Sequence, residues 1–206
     1  LFQAAWLYHM QGDFAAMSAA IEEFVAPGQE KGISFFVPLG LFFQATQSAD
    51  ADERLSSMVR YHEMTMMAGA RAGSTYLKMM IANELLEQDK LAEAASSLQE
   101  IRELVSAMDE HLWEGELLRL EALLSLAQDK SAVDVAARLL HESVALSQQI
   151  NNKPFALRSA LTLHKCTGGS PESLALLKQV VTSYPVPDIT SEFQQAAQIL
   201  SAGAQQ

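Results

Sequence analysis

His62-Glu63 opens the pattern H-E-x-x-H, in which two histidines on one helical face hold zinc and the glutamate serves as base. Met66 stands at the second ligand position, so the motif is incomplete and His62 reads as a helix-surface or groove histidine. His141-Glu142 fails in the same way, with Ala145 in the partner position. Asp109, Glu110, His111 and Glu114 crowd one turn with donors that suit a cation. Acidic residues before a helix also complement its N-terminal dipole, and capping a helix opened by Trp113 is their expected role. Met58, Met64, Met66, Met67, Met79 and Met80 form a concentrated set. Thioethers ligate Cu(I), but more often they fill irregular packing between helices, so the set reads as core filler, or as an adaptable groove between the second and third helix pairs. In His164-Lys165-Cys166 a base neighbours a nucleophile. Adjacent side chains on a helix point in different directions and form no dyad, so Cys166 reads as a buried structural thiol. Gly168-Gly169-Ser170 lacks the Lys-Ser/Thr of a phosphate loop, and there is no Gly-x-Ser-x-Gly, Cys-x-x-Cys or paired-carboxylate signature. No catalytic set emerges. The chain is expected to be no enzyme and to use no cofactor and no metal.

The elements that position these residues repeat. Phe14, Met17, Ile21 and Phe24 mark one face of a helix, and the same spacing returns at Leu91, Ala94, Leu98 and Ile101. It returns again at Val133, Ala136, Leu140 and Ser143, and at Leu174, Leu177, Val181 and Tyr184. Interpolation places a degraded copy at Leu55, Met58, His62 and Thr65. The period is roughly 36–42 residues, the range of helical-hairpin repeats. A second apolar helix precedes each copy: Phe2 to Gln11, Ser34 to Gln47, Ser74 to Glu87, Leu112 to Leu126 and Phe155 to His164. Turns fall at Gly12-Asp13, Asp50-Asp52, Asp89-Lys90, Asp129-Lys130 and Gly168-Gly169, residues that cap helices or accept left-handed backbone. Breaks between pairs are expected at Pro27-Gly28, Gly73-Ser74, Asp109 to His111 and Asn151 to Pro154, and Ser170-Pro171 is a strong helix start. Pro38 fits the first turn of a helix capped by Ser34 or Phe35.

The expected fold is therefore all-α. It is an α/α superhelix of stacked antiparallel hairpins, about five of them plus a helix over Thr190 to Ala202, treated as one domain over residues 1–206. Because a hairpin alone cannot bury both faces, neighbours must share apolar surface.

Composition excludes several functions. The chain is 49% hydrophobic and 19% charged, so it can bury a core. Its formal net charge of −11, with no basic stretch, argues against direct nucleic-acid contact and against anionic membranes. The most apolar stretch, Ile33 to Ala45, is too short to span a bilayer. A single cysteine fits a reducing compartment, and a cytoplasmic location is expected. The chain starts at Leu1 in mid-helix pattern, which reads as a fragment of a longer protein.

The stretch YLKMMIANELLEQDKLAEAASSLQEIRELVSAMDEHLWEGELLRLEALL, Tyr76 to Leu124, resembles the C-terminal tetratricopeptide-like region of large bacterial signalling ATPases. Residues 136–166 resemble that region's last complete hairpin, residues 180–200 its closing helix, and residues 4–32 an upstream unit. Two turns depart from the pattern: Asp89-Lys90 replaces a glycine, and Gly168-Gly169 replaces a Gly-Arg-like pair. The resemblance implies a sensor or protein-interaction arm attached to an AAA/STAND-type NTPase, itself joined to a nucleotide cyclase or to a LuxR-type or winged-helix domain. Those activities belong to domains outside these residues.

Function is then expected on the concave face that first helices line in such arrays. Tyr76, Asn83, Glu116, Arg119 and Arg158 are polar residues interleaved with the apolar stripes there. The competing reading for each is a solvated helix surface with local pairing, such as Glu116 with Arg119. The expected partner is a protein segment, a peptide or a small effector, together with neighbouring domains of the same polypeptide. The alternative is a passive scaffold or self-association module, a homodimer included.

Overall fold

The computed structural model describes residues 2–32, 35–69, 73–184 and 190–203, and among them every regular element is a helix. The helices fall into two compact units, Leu1–Gln88 and Asp89–Gln206.

The first unit holds α1 (Phe2–Gln11), α2 (Phe14–Glu30), α3 (Phe36–Ala45), α4 (Ala51–Met67) and α5 (Ser74–Glu87). Each packs on its sequence neighbour, the pairing short connections impose. Starts are set by side-chain caps: Asp13 accepts from the Ala16 N–H and Asp50 from the Glu53 N–H. The stripe of α2 buries Met17, Ile21 and Phe24, while Phe14 remains exposed. In α4 the interpolated copy is fully realised, for Leu55, Met58, His62 and Thr65 are all buried. Pro38 lies in the first turn of α3, with Phe35 at the cap, as expected. Ser34, Ile33 and the connection around Pro185 and Pro187 lie outside the described residues.

One expected break is corrected. Pro27-Gly28 does not end α2, which runs on to Glu30. The helix tolerates the ring near its end, and the Pro27 carbonyl accepts from the Lys31 N–H at 3.0 Å. Gly28 is needed for packing instead of turning: a Cβ there would meet Phe36 Cδ2 at 2.7 Å.

The second unit holds α6 (Leu91–Met108), a single 3-10 turn (His111–Trp113), α7 (Glu114–Gln128), α8 (Val133–Gln149), α9 (Lys153–Cys166), α10 (Pro171–Thr182) and α11 (Ser191–Gly203). Sequence neighbours pack again, and in addition α7 lies against α9 and α9 against α11. That skip-one contact brings alternate helices side by side, as in stacked hairpins. Asn152 and Ser170 cap α9 and α10, each followed by proline in the first turn. The left-handed positions after α6 and α8 are taken by Asp109 (φ 56°) and Asn151 (φ 56°), short polar residues that accept this backbone.

The core of this unit uses small residues for close approach. Ser143 takes a stripe position, fully buried, and its hydroxyl donates to the Gly115 carbonyl at 2.6 Å while lying 2.6 Å from Ser159 Oγ. Gly115 faces Ser147: a methyl group added to it would fall inside the contact distance of Ser147 Oγ and 3.2 Å from the Ser143 carbonyl oxygen. Above this contact Trp113 packs its ring 5.9 Å from that of Phe155. Among the described residues, no helix is long and apolar enough to cross a membrane.

Candidate functional site

The five expected site residues divide between the units. Tyr76 and Asn83 lie on α5, in the first. Tyr76 is buried, its ring 5.1 Å from Trp6 and its hydroxyl 3.2 Å from His9 Nδ1. His9 in turn stands 5.7 Å from the Phe43 ring. Residues of α1, α3 and α5 thus meet around one imidazole, an aromatic junction of first helices. Asn83 is half-buried and donates to Glu87 Oε1, four residues on, at 2.7 Å.

Glu116, Arg119 and Arg158 come together in the second unit. Glu116 is only 5% exposed, so the solvated-surface reading of this residue is overturned. A buried carboxylate needs a partner, and Arg119 supplies a bidentate one, Nε to Oε2 at 2.9 Å and Nη2 to Oε1 at 2.7 Å. Burial works against the charge, but attraction and hydrogen bonding from Arg119, joined by attraction from Arg158, outweigh it and hold the carboxyl below its ordinary value. From α9, Arg158 donates Nε–H to Glu192 Oε1 of α11 at 3.1 Å. Charges alternating in sign therefore run Arg119, Glu116, Arg158, Glu192 across α7, α9 and α11.

A second pair, with its carboxylate buried and its guanidinium half-buried, escaped the sequence reading. Glu84 of α5 accepts from Arg54 of α4 through both oxygens, at 2.7 and 2.8 Å, and Gln88 Nε2 donates to the same carboxylate at 2.8 Å. Thirty residues separate the partners, so no local spacing announces the pair. The available signal was Glu84 itself, a carboxylate flanked by Asn83 and Leu85 in a largely apolar helix, which must be paired if buried.

His62 is buried, not on a surface, and its Nε2 lies 3.1 Å from Ser74 Oγ. Burial, then Lys78, push its imidazole below the ordinary value against the pull of Glu63. Its contribution to stability is complete above the unfolded value. It is expected to be lost as pH falls from about 6.5 through the lower folded value, because only the unfolded chain takes the proton there. Urea midpoints measured across that range should fall, and His62→Asn should remove much of the slope. His111 sits between Asp109 Oδ1 and Glu114 Oε1, both at 2.7 Å, and the bond to Glu114 with the two nearby carboxylates raises its value. Asp109 closes α6 instead of capping α7, because its left-handed backbone ends the preceding helix. Among the described residues, no group of three or more His, Cys, Asp or Glu side chains is placed to hold a metal ion.

The methionines separate by exposure: Met58 and Met79 are core, whereas Met64 and Met67 face outward. His164 Nδ1 lies 3.2 Å from Ser173 Oγ, and Cys166 Sγ donates to the Leu163 carbonyl at 3.3 Å, so the two have separate partners. Cys166 is half-buried, and burial pushes its thiol up. A disulfide reagent should therefore label the native chain at least about ten-fold more slowly than the urea-unfolded chain. Equal rates would show the thiol to be open.

No family model, curated protein or solved structure matches this chain.

Proposed function

We propose that the chain is a non-catalytic regulatory arm of the tetratricopeptide-like kind, which binds a protein segment or small effector on the face lined by its first helices. Its occupancy would control a neighbouring NTPase, cyclase or DNA-binding domain of a bacterial signalling protein. The observation that supports this reading most is the side-by-side placement of α7, α9 and α11, crossed by the charged series from Arg119 to Glu192. Alternate helices so arranged offer one continuous surface. Stacked interfaces can convert its occupancy into small cumulative rotations.

The test is a thermal-shift and chemical-unfolding screen of the chain against peptides and metabolites, repeated on Arg119→Leu and Arg158→Leu variants. A ligand at a hundred times its dissociation constant should stabilise the chain by about 2.7 kcal/mol. That gain should shrink in at least one variant. A screen with no stabilising compound, or gains indifferent to both arginines, would count against the reading.

A further inference from the structure

The corner between α6 and α7 is bridged by one imidazole. Asp109 ends α6 in left-handed backbone (φ 56°), the 3-10 turn His111–Trp113 follows, and Glu114 begins α7. Across this corner His111 Nδ1 is hydrogen-bonded with Glu114 Oε1 at 2.7 Å, and His111 Nε2 lies 2.7 Å from Asp109 Oδ1. A neutral imidazole carries one N–H, so one of the two contacts would set a nitrogen lone pair against a carboxylate oxygen. Both contacts are attractive only in the imidazolium. The turn packs on α6 and α7. From these helices the groups acting on His111 are both negative: first the bond to Glu114, then attraction from Glu114 and from Asp109. Glu110, next to it in the chain, carries the same sign. The cations of the two helices are engaged elsewhere, Arg102 with Glu121 and Arg119 with Glu116.

We infer that His111 is a proton-operated clamp on the α6–α7 corner, closed when the imidazole is charged and released when it is neutral. The clamp is independent of the binding-arm reading. His111 is exposed, so its proton exchanges freely with solvent. Glu114, then Asp109, hold the folded value above the unfolded one. The clamp is therefore complete below the unfolded value of about 6.5 and is lost as pH rises through the folded value. Release reaches the interior of the unit. Trp113, the last residue of the turn, is buried with its ring 5.9 Å from that of Phe155 on α9, and its N–H donates to the Glu110 carbonyl at 3.1 Å. A loosened turn opens this amide to exchange.

Two NMR readouts on the full chain test the clamp. The His111 ring resonances, assigned by their loss in His111→Gln, are titrated in the folded and in the urea-unfolded chain. The folded midpoint is expected to be the higher. In Asp109→Asn combined with Glu114→Gln it should return to the unfolded value; asparagine accepts the left-handed backbone, so the corner keeps its geometry. The second readout is the exchange protection of the Trp113 amide, corrected for its intrinsic pH dependence. Between about pH 5.5 and about pH 8.5 protection is expected to drop at least about two-fold, the scale of an exposed ion pair. In His111→Gln it should stay at the lower level throughout. Equal midpoints in the folded and unfolded chains, or a midpoint unmoved by the double substitution, overturn the proposal. So does a drop in protection that persists in His111→Gln, or one shared equally by the Ala136 amide of α8, which would mark loosening of the whole unit.

Discussion

Glu116→Ala is expected to destabilise the chain by about 3 kcal/mol, the loss typical of a buried ion pair stripped of one partner. The carboxylate is buried and its two oxygens accept from two Arg119 donors, on a side chain that is itself only 12% exposed. Arg158 loses an attractive neighbour at the same time. Replacing both members, Glu116→Leu with Arg119→Leu, should recover most of the loss, because a well-packed apolar pair no longer leaves a charge alone. Urea unfolding of the single and double variants decides the matter. A single variant within about 0.5 kcal/mol of the parent would mean that Glu116 is solvated after all.

Gly115→Ala is expected to cost about 2 kcal/mol, within the range for overpacking a tight contact. The added methyl meets Ser147 Oγ and the Ser143 carbonyl, and the carbonyl belongs to a helix backbone that cannot rotate away. Ser147→Ala alone should be neutral or slightly stabilising, since its buried hydroxyl has no hydrogen-bond partner among the described residues. Combined with Gly115→Ala it should restore at least half of the loss, by removing the atom in the way. Simple additivity in the chemical-unfolding cycle would contradict the close approach of α7 to α8.

These two sites show what was legible in the sequence and what was not. Helix limits were readable where chemistry is local. Phe2–Gln11 and Ser74–Glu87 were placed to the residue, and Ser170-Pro171 announced the start of α10 through a cap and a proline at the first helical position. The degraded repeat in α4 was found by interpolation, since periodicity survives even when His62 and Thr65 replace apolar residues. Pro27-Gly28 misled because the pair resembles a turn, whereas the need at Gly28 is space for Phe36, a contact invisible in one dimension. Glu116 was recognised as a candidate, yet its spacing to Arg119 fits an exposed pair as well as a buried one. Burial separates the two, and burial depends on the packing of other helices against α7. The Arg54–Glu84 pair was hidden for the same reason, with its partners on different helices.

Alternate helices of the second unit lie side by side, and linked charges join them. A double-mutant cycle on Glu116 of α7 and Arg158 of α9, by urea unfolding at low ionic strength, tests this arrangement most directly. The expected coupling is at least about 0.5 kcal/mol, as for residues in one charged network. Strict additivity of Glu116→Gln and Arg158→Leu would place α7 and α9 apart, and the surface proposed for binding would go with them.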